Sequence, residues 1–114
     1  MDALEMVLLF DYYGNMLTDR QRECFDMRYN QDLSLGEIAG ELGISRQGVH
    51  DILSRTEAQL QNMEEKTGCV RRDVSCRRAV RDILEAAQAL KDHPDMTVSV
   101  LAERIISTAR GLEE

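Results

Sequence analysis

The residues best suited to recognition chemistry lie in the stretch 45–55, which reads SRQGVHDILSR. Helical spacing turns Val49, Ile52 and Leu53 toward a protein core, so the polar residues between them face outward. Arginine and glutamine side chains can read base edges in the major groove of DNA, and hydroxyl groups can hold phosphates. The candidate DNA-binding residues are therefore Ser45, Arg46, Gln47, His50, Ser54 and Arg55.

Two features of this stretch are relevant to whether it binds DNA. Gly48 has no side chain and would leave room for a close approach to a nucleic-acid backbone. The acidic neighbours Asp51 and Glu57 favour the other interpretation, a solvated helix face in a fold that does not bind DNA. If DNA is bound, we expect the first turns to reach base edges and Arg55 to lie on a phosphate.

A second group of basic residues follows later in the chain. This basic patch comprises Arg71, Arg72, Arg77, Arg78 and Arg81. It could hold DNA phosphates beside the recognition helix, or it could hold structured RNA. A structural interpretation is also open, because Arg78 and Arg81 have acidic residues four positions further on, Asp82 and Glu85. We expect the other three arginines to lack such a partner.

The sequence contains no constellation typical of an enzyme. The two histidines, His50 and His93, fall on different predicted elements. Cys69 and Cys76 lack metal-ligand spacing, and no glycine-rich loop that cradles phosphate is present. We therefore expect no catalytic residues, no metal and no cofactor.

Cysteine use and hydropathy predict the compartment. Three cysteines cannot all pair with one another, which favours a reduced, cytoplasmic protein. No apolar segment approaches the roughly 20 residues of a membrane span, so we expect no membrane insertion. Asp2 and Glu5 stand where a signal peptide would carry basic residues.

Two short helices joined by a turn would position the recognition residues. Ser34 and Glu37 have the spacing of a capping box, in which each side chain accepts a hydrogen bond from the other's backbone N–H. Gly43 ends the first helix, because a left-handed residue is most easily accommodated as glycine. Ser45 can cap the second helix, and the small Ala39 lets the two helices cross closely. This pattern predicts a helix-turn-helix.

The remainder of the chain is predicted to be helical as well, which makes the fold all-α. A second capping box joins Thr18 and Gln21, and Thr97 is expected to cap the last helix. The predicted helices cover about 3–13, 18–29, 35–42, 46–66, 75–92 and 98–111, with a short joint at 69–74. We expect a helix-turn-helix domain over 1–68 and a C-terminal helical extension over 69–114, packed on that domain or on a dimer partner.

Charge is distributed unevenly along the chain. The net charge of −7 is unusual for a nucleic-acid binder, because phosphate contacts supply most of the affinity. Residues 1–65 carry five arginines against 13 acidic residues, whereas residues 66–91 carry seven basic residues against three acidic ones. The basic charge therefore follows the predicted helix-turn-helix and does not coincide with it.

The first predicted helix, ALEMVLLFDYY, is apolar on nearly all sides. A helix with two apolar faces is buried on two sides. The second side could be covered by the C-terminal helices or by a second protomer, and the sequence does not decide between them. A homodimer is therefore an expectation.

Residues 17–60 resemble the promoter-element-reading region of bacterial sigma factors. The resemblance lies in the opening LTDRQRE, the centre EIAGELGIS and the helix SRQGVHDILSR. With the start LLFDYYGNM included, the whole chain is similar to the YlxM family of small bacterial helix-turn-helix proteins. That resemblance implies a sigma-like helix-turn-helix and a regulatory role in the signal recognition particle pathway, and no established activity. The other sigma-factor regions are missing from the sequence.

Two functions follow as hypotheses. The first is a dimeric DNA-binding regulator of transcription that reads a short site through the helix 46–55. The second is a protein- or RNA-interaction module that modulates the signal recognition particle, with the helix-turn-helix kept as a scaffold. The intact surface of the predicted recognition helix favours the first hypothesis, and the acidic balance favours the second.

Overall fold

The computed structural model describes residues 2–113 and has an all-α fold, which confirms the predicted fold class. No strand occurs among the described residues, and none of their helices combines the length and apolar character needed to cross a membrane. A 3-10 helix, Gly14–Met16, directly follows the first α-helix, where the sequence predicted a plain stop. The α-helices are α1 (Ala3–Tyr13), α2 (Asp19–Tyr29), α3 (Leu35–Leu42), α4 (Arg46–Thr67), α5 (Cys69–Leu90) and α6 (Met96–Gly111).

The chain divides into two compact units between Val70 and Arg71. The N-terminal unit contains α1 to α4 and the start of α5, and the C-terminal unit contains the rest of α5 together with α6. The division lies two residues beyond the domain boundary expected from the sequence, inside α5.

Local side-chain caps set the starts of α2 and α3. The Gln21 N–H donates to Thr18 Oγ1 over 3.2 Å, and the Thr18 N–H donates to Gln21 Oε1 over 3.0 Å. Ser34 and Glu37 make the same reciprocal pair at 3.1 Å in both directions. Hydrogen bonds from the Ser34 backbone and then its side chain lower the pKa of Glu37. Both predicted capping boxes are therefore confirmed.

The first hydrophobic cluster joins α1 and α2 to the second half of α4. Its buried residues are Met6, Leu9, Tyr13, Leu17, Phe25, Leu60 and Val70. Phe25 is stacked between two other rings, with centroid distances of 4.4 Å to Phe10 and 4.2 Å to Tyr29. On the opposite side of α1, Leu4 is 80% exposed. The second apolar stripe predicted for this helix is thus present and lies at the surface of the chain.

The second hydrophobic cluster is the core of the helix-turn-helix. Its buried members come from three helices: Cys24 from α2, Ile38 and Ala39 from α3, and Val49 and Leu53 from α4. Burial raises the pKa of the Cys24 thiol above its usual range. The small residue Ala39 is buried at this contact, as the sequence predicted.

The predicted joint at residues 69–74 is wrong, because α5 begins at Cys69, directly after Gly68. Gly68 has φ +63°, a left-handed conformation that ends α4. The backbone N–H groups at the start of a helix lack acceptors within the helix, and Glu64 supplies one for α5. Its Oε1 accepts the Val70 N–H over 3.0 Å. The same oxygen accepts the Tyr13 hydroxyl over 2.7 Å. The chain can therefore re-enter a helix without a linker.

The C-terminal unit is a helical hairpin of α5 and α6. Ser99 Oγ donates to the carbonyl of Lys91 over 2.7 Å across the connecting loop. Asp95 caps α6, since its carboxylate accepts the Thr97 N–H over 2.8 Å, and the expected Thr97 cap is wrong. The residues that the hairpin buries are mostly small, namely Val80, Ala87, Ala102, Ile106 and Ala109.

Candidate nucleic-acid interface

The turn between α3 and α4 fixes the orientation of the candidate recognition helix. Gly43 caps α3 in the left-handed conformation, with φ +67° and ψ +34°. The Gly43 N–H donates to the carbonyl of Ala39, and the Ile44 N–H donates to the same carbonyl over 3.1 Å, which closes the turn after α3. Val49 and Leu53 anchor α4 in the core below, so the opposite face of α4 is held in solvent.

All six candidate DNA-binding residues are exposed on the first three turns of α4 or at its cap. They are spread over about half of the helix circumference, from Arg46 beside α3 to Arg55 beside α2. Ser45 is the cap, and its Oγ accepts the Gly48 N–H over 2.9 Å. A β-carbon at Gly48 would lie 3.2 Å from that oxygen and 3.6 Å from Ile44 Cδ1. The space beside Gly48 is therefore filled by the cap, where the sequence suggested room for a nucleic-acid backbone.

The Arg46 side chain lies back over the first turn of α3. A β-carbon at Gly36 would sit 3.0 Å from Arg46 Nη2 and 3.1 Å from its Nε. Glycine at position 36 thus makes a shallow seat for the guanidinium. An arginine side chain is long and flexible, so reaching a base edge requires only a change of rotamer.

An acidic side chain lies among the candidate donors on α4. Gln47 Nε2 donates to Asp51 Oδ1 over 3.0 Å, and His50 Nδ1 lies 3.7 Å from the same oxygen. Asp51 therefore occupies one amide proton of Gln47 in the free protein. Its carboxylate would repel phosphates, and it could also accept a hydrogen bond from the cytosine amino group in the major groove.

A groove between α2 and α4 adds one basic residue that the sequence analysis missed. Arg20 and Arg55 both line this groove, together with the cap residue Thr18. Arg20 Nη1 also donates to the carbonyl of Leu42 over 3.4 Å, which ties α2 to the end of α3. Arg20 precedes Ser45, the first candidate DNA-binding residue, by 25 positions, so helical spacing could not connect it with α4. Only the resemblance of LTDRQRE to sigma factors could have drawn attention to it.

The residues of the basic patch are all exposed, and all lie on α5 in the C-terminal unit. Arg77 is paired, because its Nε donates to Asp73 Oδ2 over 2.9 Å. The expectation that Arg77 lacks a partner is therefore wrong, and the cause is the helical start at Cys69, which places Asp73 one turn before it. Arg77 and Arg81 line a shared cavity beside Cys76 and Val80.

The arrangement of possible metal ligands can be checked for the residues that the structure describes. Among residues 2–113, no three histidine, cysteine, aspartate or glutamate side chains converge in an arrangement that could hold a metal ion. Cys24, Cys69 and Cys76 are not joined in disulfides.

These features define the class of the protein: a small all-α helix-turn-helix protein with an additional helical hairpin. Residues 1–99 match the family of YlxM/p13-like helix-turn-helix proteins, UPF0122. The chain belongs to this family, as its sequence resemblance implied.

Curated relatives match over nearly the whole chain. A UPF0122 protein of Thermoanaerobacter sp. strain X514 is 43% identical over 114 residues, which cover 99% of this chain and 95% of the relative. One from Acetivibrio thermocellus is 45% identical over 110 residues, covering 96% and 89%. One from Listeria innocua is 40% identical over 100 residues, covering 88% and 90%.

Proposed function

We propose that this protein is a DNA-binding regulator that inserts the N-terminal half of α4 into the major groove. The observation that carries the proposal is the start of α4, where six hydrogen-bonding residues are exposed on a helix that is anchored in the core. Arg46 and Gln47 lie at the N-terminal end of α4, the part of a recognition helix that contacts base edges. Arg55, beside Arg20 in the groove between α2 and α4, is suited to a phosphate. Binding, not catalysis, is the proposed activity, and cysteines that form no disulfide suit a cytoplasmic site of action.

The charge of the N-terminal unit sets the strength of this binding. Five arginines against 13 acidic residues in 1–65 give little non-specific attraction to DNA. Specific contacts must therefore supply most of the affinity. About two to four neutralised phosphates per protomer would give a salt dependence of roughly −0.9 per phosphate, a shallow slope for a DNA-binding protein.

Binding of the full chain to pooled genomic DNA fragments, followed by selection of the preferred site, tests this proposal. Arg46→Ala should lower discrimination between the selected site and a scrambled site by about 1–3 kcal/mol. Arg55→Ala should weaken both sites alike and reduce the salt slope by about one. Lys66→Ala is the matched control, because it removes a positive charge from the far end of α4, and it should change neither quantity.

The proposal fails if the parent protein binds no DNA more tightly than about 100 micromolar at physiological salt, the range of non-specific association. It also fails if Lys66→Ala weakens binding as much as Arg55→Ala does. Either result would show that α4 does not make the contact.

A second candidate function is favoured by the exposed arginines of α5 and by Asp51 on the recognition face. In this alternative the protein is an RNA- or protein-interaction module that modulates the signal recognition particle, the pathway that the resemblance implied. The signal-recognition-particle RNA is the probe. Binding that is weakened by Arg78→Ala and unaffected by Arg46→Ala would support this candidate over the first.

A further inference from the structure

Helix α5 presents different chemistry on different sides. Val80 and Ala87 are buried in the hairpin. At about 100° per residue, Arg71, Arg77, Arg78 and Arg81 fall within an arc of about 120°, and Arg72 falls outside it. Opposite this arc lies a row of uncharged residues, all exposed, spaced alternately three and four apart: Cys76, Ala79, Ile83, Ala86 and Leu90.

Helix α6 carries a matching row. Leu101, Ile105, Thr108 and Leu112 are spaced four, three and four residues apart. Leu101 is 51% exposed and Leu112 is 71% exposed, although the neighbouring positions Ala102 and Ala109 are buried. The hairpin therefore covers only part of the apolar surface of α6.

The two rows lie on the same side of the hairpin. Ile83 from α5 lines one groove with Leu101, Ile105 and Leu112 from α6. A separate groove of the hairpin is lined by Gln88, Lys91, Glu103 and Arg110 among others, and is polar. Water can cover the polar groove, whereas the two rows expose apolar side chains on one side of the single chain, with Arg72 in line with the α5 row at its N-terminal end. We call these two rows the apolar seam.

We propose that the apolar seam binds the seam of a second copy of this chain, so that two hairpins form a four-helix bundle. Alternating spacings of three and four are those of helices that pack with knobs into holes. An up-and-down bundle needs two such seams, one from each hairpin. Ala79 and Ala86 are small enough to let the helices approach closely. This interface is independent of DNA binding by α4.

Charge at the edges of the seam favours a second copy over another partner. Asp82 borders the α5 row on its outer edge, and Arg104 borders the α6 row on its outer edge. A two-fold axis along the bundle sets α5 of each copy against α6 of the other. Asp82 of one copy then lies beside Arg104 of the second copy, twice per dimer. The seam is thus complementary to itself in shape and in charge, as an isologous interface requires.

The arrangement has a functional outcome for the arginine arc of α5. Arg71 and Arg78 lie on the side of α5 away from the seam, so a dimer leaves both of them in solvent, whereas Arg77 and Arg81 line a cavity with the seam residues Cys76 and Leu112. Each dimer would present two arginine surfaces related by the two-fold axis. An anionic ligand that bridges them would bind through both copies at once.

Sedimentation equilibrium of the full chain tests the proposal. The parent should behave as a dimer of about 26 kDa, twice the chain mass of 13.0 kDa, at 10–100 micromolar. Leu101→Glu should raise the dissociation constant at least about 100-fold, because each copy would bury an unpaired carboxylate. Val100→Glu is the matched control: Val100 is 59% exposed on the adjacent position of α6, outside the seam, and this variant should dimerise like the parent.

A second set of variants, which exchange the charges at positions 82 and 104, tests the interface in case Leu101→Glu does not fold. Asp82→Arg should raise the dissociation constant about five- to tenfold, by setting like charges beside each other at both edges. The double variant Asp82→Arg, Arg104→Asp should return to within about threefold of the parent. Far-UV circular dichroism confirms that each variant keeps its helices.

Three outcomes would overturn the proposal. One is a 13.0 kDa species at 100 micromolar, which would assign the seam to a different partner. Another is equal dissociation by Val100→Glu and Leu101→Glu. The third is a double charge variant no better than Asp82→Arg alone, which would exclude the α5-to-α6 pairing.

Discussion

The left-handed turn at Gly43 yields a sharp stability prediction, because α3 contains its own control. Gly43 and Gly40 stand three residues apart, and a β-carbon at either position would meet no heavy atom within 4 Å. Substitution by alanine therefore creates no clash at either site. The two positions differ only in backbone conformation: Gly43 has φ +67°, and Gly40 lies inside the helix.

The two alanine substitutions should have opposite signs. Gly43→Ala forces a side chain into the left-handed region, which costs about 1–2 kcal/mol. Gly40→Ala removes backbone freedom from the unfolded chain in a helical position and should stabilise by about 0.5–1 kcal/mol. The difference in unfolding free energy between the variants should be about 2 kcal/mol. Gly43→Asn should fall between Gly43→Ala and the parent, since asparagine tolerates this conformation better.

Urea unfolding followed by tyrosine fluorescence is the appropriate assay. The three tyrosines, Tyr12, Tyr13 and Tyr29, all belong to the N-terminal unit, and the chain has no tryptophan, so the signal reports the unit that contains the turn. The midpoint should shift with an unchanged slope against urea concentration. A Gly43→Ala variant as stable as the parent, or a Gly40→Ala variant equally destabilised, would refute the reasoning.

Two further predictions concern hydrogen-bonded carboxylates. Tyr29→Phe removes the hydrogen bond to Glu57, which spans 2.6 Å, and should lower the unfolding free energy by about 1–2 kcal/mol. Burial, with Glu57, raises the pKa of Tyr29 to about 12, so the unfolded chain loses the phenolic proton at a lower pH than the folded chain does. The unfolding free energy of the parent, measured by circular dichroism in urea, should therefore fall as pH rises from about 10 to 12. That of Tyr29→Phe should fall less, and Tyr13, whose pKa is also raised by burial, accounts for the part of the effect that remains. Asp51→Asn keeps an acceptor for Gln47 and removes a negative charge, so titration with DNA should show about three- to tenfold tighter binding if α4 meets phosphates. Weaker binding only to sites with a particular cytosine would instead show that Asp51 reads that base.

The helix-turn-helix was predictable because its signals are local. Ser34 with Glu37, Gly43 and Ser45 each act within three or four residues, and each does in the structure what its type and spacing indicated. The family resemblance reached the same conclusion from the same residues.

The parts that could not be predicted depend on contacts between distant residues. The helical start at Cys69 needs Glu64, whose carboxylate is itself held by Tyr13, 51 positions away in the sequence. The pairing of Arg77 with Asp73 was missed for the same reason, because the start of α5 was placed too late in the sequence. The seat of Arg46 over Gly36 likewise involves two helices, and no periodicity within either helix indicates it.

The buried thiol of Cys24 allows the opening of the helix-turn-helix core to be measured from the rate at which an alkylating reagent modifies it. Only the thiolate reacts with alkylating reagents, and Cys24 is both fully enclosed and shifted away from ionisation. The reaction rate of the same thiol in the urea-unfolded chain serves as the reference. The ratio of the native rate to the unfolded rate therefore gives the free energy needed to part α2 from α3 and α4. A ligand that clamps the helix-turn-helix would slow the reaction of native Cys24, which would report occupancy without any label on the ligand.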